Sequence, residues 1–203
     1  MYLFGASGHC KVIIDIIERC NQFKIDAIVD DNPKCQAIFN NVVLKTSDCR
    51  FKVHDLLFIA VGNNLVRKNI SEKYALKSPV LIHPKSIVAS SVSIGEGSVV
   101  MAGAIINPDV VVAKHCIVNT GAIIEHDCVL EDFVHLSPNV ALAGNVKICE
   151  GTHIGIGSCV IQGIQIGKWV TIGAGAVIIK DVPDYAVVVG NPGRIIKYNK
   201  ENE

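Results

Sequence analysis

An aliphatic residue recurs at every sixth position from Ile82 to Ile178, at Ile82, Val88, Ile94, Val100 and onward through seventeen positions without a miss. A helix needs spacing near 3.6 and a half-buried strand needs spacing of 2, so a period of six fits neither. It fits a parallel β-helix, in which three six-residue units make one triangular turn. Seventeen units make just under six turns, and at ~4.8 Å per rung the rod is roughly 27 Å long. The fifth place of each unit is small or β-branched, as at Ser86, Ala104, Cys116, Ala122 and Val140, which suits a narrow interior. Gly95, Gly155, Gly167 and Gly173 directly follow the aliphatic place, where a corner is expected to need permissive backbone.

Before Ile82 the pattern changes. Residues 2–4, 25–29 and 56–61 are apolar runs that predict strands, and residues 65–76 predict a helix. Val12, Ile13, Ile16, Ile17 and Cys20 share one face of another helix. Apolar strands alternating with helices predict a small parallel α/β sheet. Three segments follow: residues 1–81 as the α/β domain, 82–181 as the coil and 182–203 as a capping segment. The α/β domain is expected to cover one end of the coil and the last segment the other, since open coil ends expose unpaired backbone.

Composition narrows the functional classes. The 203 residues carry 19 basic and 19 acidic side chains, so no general attraction to nucleic acid or anionic lipid is expected. Aromatic residues make up only 5%, in keeping with a coil filled by Ile, Val and Leu. No uncharged apolar run is long enough to span a membrane. The opening Met1-Tyr2-Leu3-Phe4-Gly5 reads as a strand rather than a secretory leader, and a cytoplasmic location is expected. The eight cysteines form no C-x-x-C pair and are expected to be buried, reduced thiols; no metal is expected.

Two constellations carry chemistry. Gly5-Ala6-Ser7-Gly8-His9 joins a strand to a helix, where free N–H groups and glycines can receive an anion, and Asp30-Asp31 follows the second strand. A tight glycine turn with no ligand, and an Asp-Asp turn with none, fit the same residues. In the coil, Glu125-His126-Asp127 places His126 two residues past the inward Ile124, so its ring should leave a corner with carboxylates on both sides. Gly144 lies one turn further along and sets bare backbone beside that imidazole, where its N–H can face an oxyanion. A solvated histidine beside two acids is the alternative. His135 and His153 also stand one turn apart, but no third histidine completes a metal set.

Together these segments resemble bacterial sugar acyltransferases of the sialic-acid O-acetyltransferase type, hexapeptide-repeat proteins that include the N-acetyltransferases of bacillosamine and perosamine synthesis. The likeness rests on Gly5-Ala6-Ser7-Gly8-His9, Val29-Asp30-Asp31, Ala60-Val61-Gly62-Asn63-Asn64, Leu81-Ile82-His83-Pro84, Asn119-Thr120, Ile124-Glu125-His126-Asp127-Cys128, Ala143-Gly144-Asn145-Val146 and Val189-Gly190-Asn191-Pro192. It implies a left-handed β-helix behind a Rossmann-like α/β domain, assembled as a homotrimer with each site between two subunits. It implies acetyl-CoA as co-substrate and a 4-amino-dideoxysugar linked to UDP, GDP or dTDP as acceptor, in the synthesis of a polysaccharide or glycan. His126 is implied as general base, Asp127 as the acid that strengthens it, Asn119 as the side chain near the acceptor and Gly144 as the oxyanion donor. His135, Ile156 and Ala174 are implied as acetyl-CoA contacts. Ser7, Gly8, His9, Asp30, Asp31 and Gly62 are implied to hold the nucleotide sugar. Asn119, His126 and Gly144 are expected at one crevice. O-acetylation of a sugar hydroxyl and a non-catalytic assembly coil are the competing readings.

Overall fold

The computed structural model describes residues 1–199; residues 200–203 of the expected capping segment lie outside the described residues. The chain opens with strand β1 (Tyr2–Phe4), helix α1 (Gly8–Cys20) and strand β2 (Ala27–Asp30). Then come β3 (Ala37–Ile38), β4 (Asn41–Lys45), β5 (Leu57–Ile59) and helix α2 (Asn64–Tyr74). They form one five-stranded sheet in the order β3-β4-β2-β1-β5, parallel except for β3. The sequence pattern predicts β1, β2 and β5 but not β3 and β4, whose polar ends and partial exposure break the apolar run.

On α1 the buried positions include Cys10, Ile13, Ile14 and Ile17, spaced as one helical face. Val12 was expected on that face, but it is 39% exposed because it lies off the stripe. The face packs with Leu3, Ile28 and Phe58 of the sheet and with Leu81, Val99 and Ile117 of the coil in one cluster. The α/β part therefore lies along the coil's side and does not cap its end. The reason is chemical: the outward residues of the first rungs on that side are aliphatic and need cover. The opposite side of the sheet packs Phe4, Val29 and Ile59 against Ile70 of α2.

From Leu81–Ile82 to Val177–Ile178 the chain makes seventeen two-residue strands, one per six-residue unit, on three flat faces, the first beginning at Leu81–Ile82, the second at Ile87–Val88 and the third at Ser93–Ile94. Strands eighteen residues apart pair in parallel register, as Ile105 does with Ile87 and Ile123, in a left-handed β-helix. The aliphatic residue of each unit from Val100 to Ile178 points inward and is at most 2% exposed. Each such burial contributes roughly 1.5–3 kcal/mol. Ile82 is 39% exposed because no rung lies below it.

The corners differ from expectation in one respect. Left-handed backbone falls at the fourth place of the unit, from Gly97 to Gly175, with φ between 54° and 72°. Gly95 and Gly155 have no such φ; a Cβ there would come within 2.7 Å and 2.6 Å of the backbone of the next rung. Their small size serves close approach. At the far end Ala186–Val189 extends the first face and pairs with the antiparallel strand Arg194–Tyr198. Arg194, Ile195, Ile196 and Lys197 thus lie on a paired, exposed strand.

Candidate active site

The edge between the second and third faces carries His126. Its ring leaves the coil with 62% of the side chain exposed, and Nδ1 lies 2.7 Å from Asp127 Oδ2. Asp127 occupies a left-handed corner position at φ 61°, directly after the histidine it holds. The hydrogen bond to Asp127 raises the His126 pKa above its ordinary value, with the charges of Asp127 and Glu125 acting in the same direction. A Cβ on Gly144 would fall 2.7 Å from Cε1 and Nε2 of His126, so only glycine leaves room for the ring. With Nδ1 held by the carboxylate, Nε2 has no partner among the described residues. This arrangement can accept a proton at Nε2 beside a bare peptide unit.

Asn119 lies on a different edge, between the first and second faces. One whole face separates it from His126, because seven residues exceed one six-residue unit. The crevice expected to hold Asn119, His126 and Gly144 together is therefore split within one chain: His126, Asp127 and Gly144 meet, and Asn119 stands apart. Asn119 Nδ2 lies 3.1 Å from His135 Nε2, and its Oδ1 accepts from the Thr120 N–H at 2.8 Å. Ile156 and Ala174 are exposed along the same edge as Asn119, one above the other. His135 and His153 stack with ring centroids 4.8 Å apart. Burial, then the neighbouring His153 and Arg67, pushes His135 down to about 3. His83 and His115 are buried, His83 Nδ1 accepting from the Lys85 N–H.

The glycine segment after β1 behaves differently again. Gly5 has φ 104°, and a Cβ there would meet Val61 at 2.7 Å. Gly8 opens α1, and a Cβ on it would meet nothing within 4 Å, so space remains above the helix start. Ser7 caps α1 without a side-chain hydrogen bond. Buried His9 Nε2 has no partner among the described residues, and burial followed by Arg67 lowers its pKa to about 4. Asp30 spends both oxygens on the local fold, accepting from the Ala6 and Asn32 N–H groups at 2.8 Å each. Asp31 is exposed.

A cavity of about 360 Å³ lies at the carboxyl ends of these strands, lined by Gly5, Asp30, Asp31, Val61, Lys73 and Tyr74. Ser7, Gly8 and His9 are not among its lining residues, and Gly62 faces His135. Sequence reasoning missed the α2 wall, although Val66, Asn69, Ile70 and Lys73 follow helical spacing after a strand end. A second cavity of about 480 Å³ lies beside Gly62, His135, His153 and Trp169. Among the described residues no cluster of three or more His, Cys, Asp or Glu is arranged to hold a metal. All eight cysteines are free thiols, four of them buried; Cys35 and Cys159 are exposed, because their positions lie on a loop and on an outward strand place.

Residues 1–74 match the family described as the PglD N-terminal domain. The acetyltransferase domain of PglB from Neisseria gonorrhoeae FA1090 is 39% identical and superposes with a TM-score of 0.89, over 96% of this chain and 98% of that one. The chain belongs to the hexapeptide-repeat acetyltransferases. That Neisseria domain has also been solved with acetyl coenzyme A. A variant perosamine N-acetyltransferase from Caulobacter crescentus, solved with CoA and GDP-perosamine, is 34% identical with a TM-score of 0.89, over 97% of this chain and 96% of that one. UDP-N-acetylbacillosamine N-acetyltransferase of Bacillus subtilis (strain 168) is 43% identical over 108 residues, 49% of this chain and 50% of that protein. The chain thus spans about half the length of that curated relative. As a member of this family it carries both the coil and the N-terminal domain that its sequence resembled. Among the described residues no helix is long and apolar enough to cross a membrane.

Proposed function

We propose that this protein transfers the acetyl group of acetyl-CoA to the 4-amino group of a nucleotide-linked amino-dideoxysugar. The observation that carries the reading is the His126 ring, held at Nδ1 by Asp127 and open at Nε2 beside Gly144. His126 Nε2 takes a proton from the acceptor nitrogen as that nitrogen attacks the thioester carbonyl carbon. The Gly144 N–H donates to the developing oxyanion. As the carbon–sulfur bond breaks, the imidazolium returns its proton to the departing thiolate, and no acyl-enzyme forms. Asn119 orients the acceptor, and positioning supplies much of the rate.

Support for the co-substrate and acceptor class comes from the relatives solved with acetyl coenzyme A and with GDP-perosamine. His135, Ile156 and Ala174 would follow the pantetheine arm along their edge. Gly5, Asp31 and the open start of α1 at Ser7, Gly8 and His9 would take the nucleotide. Asp30 would shape that loop. Residues 1–81 would thus hold the nucleotide sugar, 82–181 would perform transfer and, of the last segment, 182–199 would cap the coil, in the cytoplasm where free thiols persist.

The assembly we propose is a homotrimer. The outward strip of the second face is Ile87, Ile105, Ile123, Ala141, Cys159 and Val177, with no charged member. Covering it with further copies would bring the Asn119 edge of one chain against the His126 edge of the next. A thiol-release assay with acetyl-CoA and a panel of UDP-, GDP- and dTDP-linked amino sugars, plus hydroxyl sugars, tests the reading. Release with one amino sugar is expected. Release with hydroxyl sugars alone would make it an O-acetyltransferase, and silence across the panel would favour a non-catalytic coil. Mixing His126→Ala and Asn119→Ala copies should restore part of the activity; no restoration would sink the shared site.

A further inference from the structure

Arg67 on α2 is 1% exposed and has no carboxylate partner among the described residues. A guanidinium removed from water in this way is costly unless each donor finds an acceptor. All five do. Nε donates to His115 O at 2.8 Å, and Nη2 donates to Phe133 O and Asn64 Oδ1 at 2.9 Å each. Nη1 donates to Val61 O at 3.0 Å and to Gly62 O at 3.2 Å. One side chain thus ties two successive coil corners to the loop after β5.

The Gly62 carbonyl has a second donor, His135 Nδ1 at 3.2 Å. A carbonyl only accepts, so this contact requires the proton on Nδ1. Nε2 of the neutral ring then carries a lone pair, and the Asn119 Nδ2 amide 3.1 Å away donates to it. Asn119 Oδ1 is already occupied by the Thr120 N–H. The carboxamide is therefore oriented at both ends, with one N–H left uncommitted among the described residues. A free Gly62 carbonyl would let His135 take the other tautomer, which would face the amide donor to donor.

We propose that Arg67 is a positioning residue for the acceptor group. By fixing the Gly62 carbonyl it selects the Nδ1–H form of His135, and through that ring it holds the Asn119 amide. The proposal rests on the role assigned to Asn119 above. Burial and the Arg67 charge together also lower the pKa values of His9, His115 and His153, which keeps the surrounding rings neutral.

Nitrogen-15 correlation of the histidine rings in the whole protein, between about pH 6 and 8, reads the tautomer directly; His135→Gln assigns the signal. A neutral His135 with the proton on Nδ1 is expected. A proton on Nε2, or a charged ring, overturns the proposal whether or not any variant folds. Arg67→Lys keeps the charge but loses the five-donor fork. It should lower kcat by about 100-fold, the loss that misplacement by roughly 1 Å brings. Combined with Asn119→Ala it should add nothing to the loss from Asn119→Ala alone. Independent, multiplying losses would show that Arg67 does not act through Asn119. Wild-type protein that acetylates no acceptor would remove the proposed function, while the ring-nitrogen readout would still stand or fall by itself.

Discussion

His126 and His135 belong to one coil yet face opposite surroundings. His126 stands in solvent on an edge, with Asp127 on one nitrogen, and its pKa is raised. His135 lies in the seam between the coil and the α/β part, engaged at both nitrogens, and burial drives its pKa down to about 3. The difference teaches how an imidazole is assigned its work. A carboxylate beside an exposed ring makes a base, whereas a carbonyl and an amide around a dry one make a fixed spacer.

The sharpest way to break this contrast is to remove the exposed ring. His126→Ala should lower turnover by ~10²–10⁴-fold while acetyl-CoA binding, followed by calorimetry, stays intact. Near-normal turnover would take His126 out of the base role. Gly144→Ala tests the same edge with the histidine still in place. Its Cβ would fall 2.7 Å from the imidazole, so a loss of about 10²-fold is expected. The melting temperature should hold, since an exposed ring can swing away; a matching loss of stability would mean that Gly144 serves packing.

The buried side of the contrast shows in stability against pH. In the unfolded chain His9 and His135 take up protons near 6.5, but in the folded chain only at about 4 and about 3. The unfolded state therefore binds more protons across that window, and stability falls as pH drops from 6.5 towards 3. Thermal unfolding at a series of pH values should show this slope, and His135→Gln should flatten it. A slope identical to wild type would mean that His135 is not buried neutral.

The smallest effect is expected from Asp127→Asn. Asparagine tolerates the left-handed backbone at that corner and keeps an acceptor for Nδ1–H. Turnover should fall less than in His126→Ala, and the acidic limb of the rate profile should move to lower pH as the His126 pKa drops. An equal or larger loss, or an unmoved limb, would give Asp127 another task.

Much of this was legible without coordinates. The six-residue period predicts the seventeen strands of the coil, because each inward place meets its copies eighteen residues away in a uniform stack. The same arithmetic predicts Gly144 beside His126 and His135 over His153. Outside the repeat, prediction weakens. Strands β3 and β4 lack a continuous apolar signature, and the α2 residues lining the cavity become a wall only once β5 is set beside β1.

What repeats could be read from the chain alone: rung length, inward residues and the pairs eighteen residues apart, since these follow from local geometry applied seventeen times, whereas the expected meeting of Asn119 with His126 did not hold within one chain. The tertiary structure alone decided where the α/β part sits, that Asp30 is committed to its own loop, and that Arg67 reaches the carbonyls of Gly62, His115 and Phe133. The physical reason is the same in each case. These contacts join segments far apart in the chain with no fixed spacing, so only the packing of one layer on another selects them.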